Sequence, residues 1–410
     1  MQRRFLVLAC VISLTVVPQI MFAAAMGQVK MDPETRRVRT YYLGDSDTLT
    51  WRHLADDPFL EITPVPAAIG LFPMEYIRRH MRLYLPRNLR DYVMSVDLLI
   101  LSDSDRSVFT ANQQMWFKEG VLESGQGLIM AGGFESFGGS GWGNTWKGSS
   151  VEDVLPVWCL NFQAWDLNPF LARPAVDASE NPFITSLEWD TMPPFQGMNK
   201  VDPKIGSVTL LEARGLGLKV NGEPVLVYWE TGEGAVLGHM PDWTPAWGTE
   251  VYENWKYYPD YMVNMAYLVS GIPVPQDLEL VHFVRTELAS YTAQRGVAIS
   301  MLEFGDKFGA NVMSLEETLG DIEGMKSEAD QYYLDQNYDD ALRVMADISE
   351  EFERISSEAI KLKNQALFWV YVVEYLAVSG TSLACGFALW TLMVRRRVYR
   401  EVKTTRLRPG

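Results

Sequence analysis

The sequence predicts an α/β fold: a doubly wound sheet, followed by an acidic α-helical hairpin and one transmembrane helix. Three observations carry this prediction. Short apolar strands alternate with amphipathic helices between residues 39 and 271. After Pro273 the composition shifts from tryptophan and glycine to charged helical sequence. Finally, residues 375–394 are apolar for long enough to cross a bilayer, which takes about 20 helical residues.

The elements of the predicted sheet follow in chain order. Strands are expected at residues 40–46, 60–65, 96–101 and 127–131, with helices at 74–84 and 110–123 between them. Thr110 is a plausible N-cap for the second of these helices. Residues 155–202 show little periodicity and are expected to form an irregular extension with short strands. Strands at 208–213, 224–229 and 235–239 follow, the last two as a hairpin, and a helix at 257–270 closes the domain.

Composition and charge argue against two classes of function. The chain has 410 residues and a net charge of −16, which argues against a nucleic-acid partner because phosphate binding needs a basic face. We expect no basic patch outside the two ends of the chain. Cys10 lies in the leader and Cys385 in the apolar span, so Cys159 alone remains in the body of the protein. It lies in a half-buried strand pattern without a nearby histidine, which disfavours a catalytic thiol.

The ends of the chain predict its topology. Arg3 and Arg4, an apolar run and three alanines indicate a signal peptide at residues 1–25, although an uncleaved anchor is an alternative. The predicted α/β domain is 26–274, the acidic hairpin or coiled-coil stalk 275–365, the transmembrane helix 366–394 and the basic tail 395–410. Arginines 395–397 place the C-terminus in the cytoplasm and the N-terminal domain outside the cell membrane.

The glycine-dense stretch 125–143 is the expected site of ligand binding. A buried strand ends there at Gly132 and Gly133, which allow a sharp turn at its carboxyl end, where open parallel sheets have their binding crevices. The alternative is a plain exit from the strand, since glycines mark turns more often than sites.

Six segments in this order resemble the glutamine amidotransferase-like domain family, flavodoxin-like members of the class I glutamine amidotransferase superfamily. They are 42–46 (YLGDS), 98–103 (LLILSD), 127–137 (GLIMAGGFESF), 150–156 (SVEDVLP), 227–236 (VYWETGEGAV) and 241–248 (PDWTPAWG). The resemblance covers about residues 39–271 and implies a flavodoxin-like fold.

The sequence departs from what the resemblance implies for catalysis. True amidotransferases of this superfamily have a cysteine on the turn after the central strand, but the turn here begins Ala131-Gly132-Gly133. Where they have His-Pro-Glu, this chain has His239-Met-Pro-Asp242, and Ala246 stands where related domains tend to have a histidine. We therefore expect no glutamine hydrolysis by a thiol.

Two functions remain open. The first is a non-catalytic binding or assembly module of the cell envelope. The second is a hydrolase of an amide, ester or glycan-linked substrate through Ser136, His239 and Asp242, which have the residue types of a nucleophilic triad. Against the triad, Ser136 could stabilise the glycine loop and His239 could be a core histidine. The expected ligand pocket comprises Asp45, Asp103, Gly132, Gly133, Phe134, Glu135 and Trp243. No cofactor or metal is expected, since the histidines are scattered.

The helical region predicts partners other than nucleic acid. Two helices, 278–333 and 338–365, carry facing apolar stripes and acidic outer faces. We expect this stalk and the transmembrane helix to associate with a second copy or with an envelope protein. Gly380 with Ala384, and Ser382 with Gly386, have the small-xxx-small spacing that permits helix association in a membrane.

Overall fold

The computed structural model of the chain describes residues 30–48, 50–139, 145–215, 221–307 and 311–405. The predicted signal peptide at 1–25 and the end of the tail at 406–410 lie outside the described residues.

Within the described residues, nine strands form one mixed sheet. They are β1 (Val38–Gly44), β2 (Leu60–Pro66), β3 (Leu98–Ser102), β4 (Gly127–Gly132), β5 (Val157–Pro174), β6 (Phe195–Pro203), β7 (Val208–Gly215), β8 (Pro224–Thr231) and β9 (Gly234–Asp242). The strand order is β2-β1-β3-β4-β9-β8-β7-β5-β6. In this order, the five strands from β2 to β9 run parallel to one another, and all pairings from β9 onward are antiparallel. The parallel part has the order of a flavodoxin-like sheet, so the predicted fold class is confirmed.

The central strands are apolar because both of their faces are covered. Every residue of β3 and β4 is buried, as expected for parallel strands between two layers of helices. The helices of this domain are α1 (Arg52–Ala55), α2 (Met74–Tyr84), α3 (Leu89–Ser95), α4 (Ala111–Ser124), α5 (Pro182–Thr185), α6 (Pro245–Asn254) and α7 (Tyr258–Ser270). Thr110 caps α4 in a capping box with Gln113, which confirms the predicted N-cap.

Residues 155–202 are more regular than predicted. They contain β5, an 18-residue strand, and most of β6. Strand β5 pairs with both β6 and β7, and its register with β6 shifts twice. Irregularities of this kind interrupt the alternation of side chains between faces, which explains why the sequence shows no period of two here.

Three long helices follow the sheet: α8 (Leu278–Lys307), α9 (Met313–Leu334) and α10 (Tyr338–Thr405). The segment predicted as one helix at 278–333 is thus two helices. Helix α10 continues without a break through the predicted transmembrane segment, and it contains one stretch long and apolar enough to span a membrane by length and composition.

The chain divides into two compact units. The first comprises residues up to Ala289 together with Asp330–Leu342, and the second comprises Ser290–Ala329 with the residues from Arg343 onward. In the second unit, a small core contains Leu302, Val312, Leu315 and Ala359. Leu315 belongs to the predicted apolar stripe, and Leu319 packs against the same core.

A buried ionic cluster in the first unit surrounds Arg285. Its guanidinium group lies 2.9 Å from the Asp260 carboxylate and 3.4 Å from that of Asp57. The Arg285 Nε also donates to the Tyr333 hydroxyl at 2.9 Å, and the Tyr267 hydroxyl donates to Asp57 at 2.9 Å. All five side chains are buried, so the cluster is a network of matched charges and hydrogen bonds inside the unit.

The surface of α2 and α3 corrects one expectation of the sequence analysis. Five arginines are exposed there, on α2 and around the start of α3: Arg78, Arg79, Arg82, Arg87 and Arg90. The described part of the chain offers none of them an ion-pair partner. We call these five residues the basic face. A basic patch therefore exists in the middle of an acidic chain, because helical spacing gathers charges that the sequence spreads over thirteen positions.

Candidate functional site

The carboxyl ends of β1, β3, β4 and β9 meet at one edge of the sheet. Gly44 pairs with Ser102, and Gly132 pairs with Asp242. Asp45 and Asp103 directly follow β1 and β3, so both lie at this edge with Asp242. The chain order reverses between β1 and β3, and open α/β sheets bind ligands at such a switch point. The pairing of neighbouring strands thus brings Asp45, Asp103 and Asp242 to the same edge of the sheet.

A register shift in β9 sets the position of Asp242. Ala131 pairs with His239, yet the next residue of β4, Gly132, pairs with Asp242. Two residues of β9 are thereby skipped, as in a β-bulge. Strict alternation of side chains along β9 does not hold past His239.

The turn after β4 is closely packed on both sides. A Cβ atom on Gly132 would collide with the Met240 carbonyl oxygen, and one on Gly133 would collide with the Asp103 carboxylate. Gly133 also has a φ of +144°, which side-chain-bearing residues rarely adopt. A cysteine therefore cannot replace either glycine without displacing neighbouring atoms.

The polar groups of this turn are engaged within the protein. The Gly133 N–H donates to Asn199 Oδ1 at 2.9 Å, and the Asn199 amide donates to the Gly133 carbonyl at 3.0 Å. The Glu135 N–H donates to Asp103 Oδ1 at 2.6 Å. The Ser136 hydroxyl donates to the Ala131 carbonyl at 2.5 Å. These contacts hold the glycine loop in one conformation.

The three candidate catalytic residues do not form a hydrogen-bonded triad in the described structure. Ser136 is buried and bonded to Ala131, as above. His239 is fully buried, its Nδ1 lies 2.8 Å from the Pro241 carbonyl, and burial lowers its pKa to about 3. Asp242 is hydrogen-bonded by Thr244. The ring of His239 packs against Phe195, Trp243 and Tyr261, so it has the surroundings of a core histidine.

Asp45, Asp103 and Asp242 form a carboxyl cluster with raised pKa values. Burial raises the pKa of Asp45 to about 6 and that of Asp103 to about 8. Burial also raises the pKa of Asp242 well above its usual range, with the charges of Asp45 and Asp103 adding to the effect. In the described ranges, neither lysine nor arginine forms an ion pair with any of the three. The cluster therefore lacks a compensating positive charge.

A strained backbone conformation and aromatic rings occur beside the carboxyl cluster. Asp103 has a φ of +43°, an uncommon conformation for a residue other than glycine that tends to occur at functional sites. Phe134 is 38% exposed, and its ring lies 5.4 Å from that of Trp247. The buried indole N–H groups of Trp243 and Trp247 have no hydrogen-bond partner among the described residues. Such unsatisfied buried donors are rare in folded proteins.

Glu135 has a structural contact in addition to its place beside the crevice. Its carboxylate accepts hydrogen bonds from the Ile69 and Gly70 N–H groups, both at 2.8 Å. These hydrogen bonds connect the loop after β2 to the turn after β4. Sequence reasoning missed Asn199 and Trp247: Asn199 lies in the region without periodicity, whereas Trp247 belongs to a quoted segment and could have been included.

Catalysis by the Cys159 thiol and binding of a metal ion are two further chemistries that find no support in the described residues. Cys159 is buried, its N–H donates to the Glu152 carboxylate at 2.8 Å, and burial raises the pKa of its thiol. A thiol in that state is inert. In the described ranges, His, Cys, Asp and Glu side chains form no group of three or more that could hold a metal ion.

Residues 81–270 match the family model described as putative glutamine amidotransferase. The chain carries a glutamine amidotransferase-like domain. All of the strand ends that build the crevice except that of β1 lie within the matched residues.

Solved structures are similar to this amidotransferase-like domain at low identity. The cytoplasmic protein STM1381 from Salmonella typhimurium LT2 has 20% identity and a TM-score of 0.46, over 56% of this chain and 98% of its own. The cytoplasmic protein STM3548 from Salmonella typhimurium has 20% identity and a TM-score of 0.48, over 57% and 99%. A β-galactosidase from Rahnella sp. R3 has 11% identity and a TM-score of 0.34, over 58% and 32%. The sequence has no significant match among curated proteins. The family model, rather than these structures, identifies the domain.

Proposed function

We propose that the amidotransferase-like domain is a non-catalytic binding module whose strand-end crevice takes a small ligand with a protonated amine. The crevice is the edge of the sheet that contains Asp45, Asp103 and Asp242; Phe134 is exposed beside it, and Trp247 is buried against Phe134. The domain has kept the family's ligand-binding edge and lost the family's nucleophile.

The packing of the turn after β4 carries this proposal. Thiol catalysis needs a side chain at the turn and free N–H groups that can stabilise an oxyanion. The Asp103 carboxylate and the Met240 carbonyl fill the space for a side chain at Gly133 and Gly132. The N–H groups of Gly133 and Glu135 already donate to Asn199 and Asp103. The Asp103 carboxylate therefore both excludes a side chain at Gly133 and occupies the Glu135 N–H, while Asn199 occupies the Gly133 N–H.

The missing positive charge indicates the class of ligand. Burying several carboxyls without a cation is unfavourable, and each keeps its proton at a higher pH as a result. An ammonium group would supply the opposite charge and donate hydrogen bonds to Asp103 and Asp242. The exposed ring of Phe134 and its neighbour Trp247 would add a cation–π contact, worth about 0.5 to 2 kcal/mol.

The hydrolase alternative has no comparable observation in its favour. Its serine hydroxyl donates to a backbone carbonyl, and its histidine is fully buried with a pKa lowered by burial to about 3. A general base near neutral pH needs a pKa close to the working pH and reach to the nucleophile.

We also propose that the domain lies outside the cytoplasm, anchored by the apolar part of α10. The support is the charge pattern: Arg395, Arg396 and Arg397 directly follow the apolar stretch. Protease added to intact spheroplasts should digest the amidotransferase-like domain and leave a small anchored fragment. Protection of the domain in intact spheroplasts, with digestion only after lysis, would reverse this orientation.

Ligand binding and catalysis are tested together on the full chain in detergent. n-Butylammonium should bind measurably by calorimetry, whereas n-butanol, its neutral analogue, should not. Asp103→Asn keeps an acceptor for the Glu135 N–H but removes the charge, so it should weaken amine binding at least tenfold. Glutamine should give no ammonia, with wild type and Cys159→Ala alike.

Each outcome of this experiment has a clear meaning. Equal binding of amine and alcohol, or amine binding unchanged in Asp103→Asn, would refute the ligand class. Ammonia release that disappears in Cys159→Ala would refute the non-catalytic assignment.

A further inference from the structure

We propose that the basic face binds an acidic face on α9 of a second copy of the chain. The acidic face comprises Glu316, Glu317, Asp321 and Glu328, together with Gly320 and Gly324. This inference goes beyond the ligand-binding function and does not depend on it.

The basic face combines charge with exposed apolar side chains. On α2, Ile77 and Met81 are buried, which leaves Arg78, Arg79 and Arg82 on the outer surface. Leu83 is 66% exposed beside them. An arginine can bond a carboxylate through two parallel N–H groups, which makes it the preferred cation in ion pairs at interfaces. A surface of unpaired arginines around an exposed leucine is therefore suited to a partner with carboxylates and a shallow apolar depression.

The acidic face of α9 has that composition. Its four carboxylates follow one another at intervals of one, four and seven residues, and the turns of the helix bring them to one side of it. All four are exposed, and none has an ion-pair partner in the described residues. Over the whole of α9, six side chains are acidic and one, Lys326, is basic. The net negative charge is thus available to a partner.

Two glycines in the middle of the acidic face provide the depression. Gly320 and Gly324 are exposed, and a Cβ added to either would meet nothing within 4 Å. A glycine inside a helix costs about 0.5 to 1 kcal/mol relative to alanine. No part of the chain that the structure describes uses the space, so the two glycines point to a second molecule that approaches the helix backbone there. Leu83, exposed on the same helix as Arg79 and Arg82, is suited to fill it.

Charge complementarity favours a second copy over an anionic lipid surface. A lipid surface would attract the arginines, but it would leave the carboxylates and the glycines of α9 without a partner. A second copy uses both surfaces at once. Because the two surfaces differ, the contact is heterologous, and each copy offers a free face of either kind to the next copy. Copies anchored in one membrane would assemble into rows.

Charge reversal on the full chain in detergent tests this proposal. Wild type should self-associate in sedimentation at about 0.05 M salt, and association should weaken at 1 M as the Debye length falls from more than 10 Å to about 3 Å. Arg79→Glu/Arg82→Glu and Glu317→Arg/Asp321→Arg should each lower association at least tenfold. Mixing the two variants should restore it, because each then meets a surface of opposite charge. Glu350→Arg/Glu353→Arg, a matched reversal on α10, should have little effect.

A second variant separates docking from charge and from folding. Gly320→Ala/Gly324→Ala keeps every carboxylate and raises helix propensity, yet it should weaken association severalfold by filling the depression. Association that strengthens with salt would instead indicate the apolar seam of the stalk and overturn the proposal. So would the absence of self-association in wild type, or binding of the basic face to phosphatidylglycerol vesicles without self-association.

Discussion

Two groups of buried aspartates in the first compact unit differ in one respect. Asp57 and Asp260 contact Arg285, whereas Asp45, Asp103 and Asp242 have no cation within the described residues. Burial raises the pKa of Asp57, but the charge of Arg285 and the hydroxyls of Tyr333 and Tyr267 oppose that rise. At the strand ends, neighbouring carboxyls add to the rise instead.

We infer from this difference that the Arg285 cluster is structural and that the strand-end carboxyls belong to the proposed binding site. A buried charge whose partner is present is compatible with stability, because removal of either partner is strongly unfavourable. A buried carboxyl without a partner lowers stability whenever it ionises, and such groups concentrate at sites that bind or react. Neighbouring strands and loops of one domain thus contain both arrangements, and the absence of a cation supports the proposal that the strand ends are the binding site.

The largest expected effect is on the pair of aspartates that contact Arg285. Arg285→Met leaves Asp57 and Asp260 buried without their cation, so it should lower the free energy of unfolding by about 3 to 5 kcal/mol. Thermal unfolding of the full chain in detergent, followed by tryptophan fluorescence, measures this. The control is Arg295→Met, since Arg295 forms an exposed pair with Glu323 that is worth about 0 to 1 kcal/mol. Equal effects of the two substitutions would show that the Arg285 cluster is not the matched network described here.

A smaller effect on stability is expected at the turn after β4, beside the carboxyl cluster. Gly133→Ala introduces a Cβ into the space of the Asp103 carboxylate at a strained φ, and should destabilise the protein by about 1 to 3 kcal/mol. Gly296→Ala on α8 is the control, because a Cβ there meets nothing within 4 Å. The control should stabilise by up to about 1 kcal/mol through helix propensity. A neutral Gly133→Ala variant would mean that the turn has room for a nucleophile.

A third effect concerns the pH dependence of stability. The pKa of Asp103 is raised from the usual 3.8 to about 8, so the folded protein holds this proton more tightly than the unfolded chain. The contribution of this group to stability is fully present below pH 4 and is lost as pH rises to about 8. Asp103→Asn removes this loss, so the variant should gain stability relative to wild type between pH 5 and 8. Parallel pH profiles for the two proteins would contradict the pKa.

Much of the sheet could be predicted from the sequence because buried parallel strands are continuous apolar runs. The runs around Leu98 and Leu128 stand out, and each ends in polar or glycine residues that become the edge of the site. The antiparallel strands β5 and β6 could not be found, since their shifted register interrupts the alternation of side chains. The break between α8 and α9 was also missed, because the sequence there contains no proline.

The composition of the site was more predictable than its geometry. Asp45, Asp103 and Asp242 could be assigned to strand ends, but the shift that pairs Gly132 with Asp242 depends on tertiary packing. Asn199 reaches the turn from a strand 66 residues away, and nothing local in the sequence announces that contact. The basic face was overlooked because the total charge of −16 conceals a local excess of arginine that only helical geometry assembles.

The central claim is that the carboxyls at the strand ends bind a cation. The pH dependence of amine binding tests this claim most directly. Below pH 8, an ammonium ligand must displace the proton of Asp103, so the affinity of wild type for n-butylammonium should rise as pH increases from 5 to 8. The rise should approach tenfold per pH unit and should be accompanied by proton release in calorimetry. In Asp103→Asn the affinity should be weak and should rise less steeply with pH, because only Asp45 and Asp242 then titrate beside the ligand. An affinity of wild type that stays constant from pH 5 to 8, or falls, would contradict the claim.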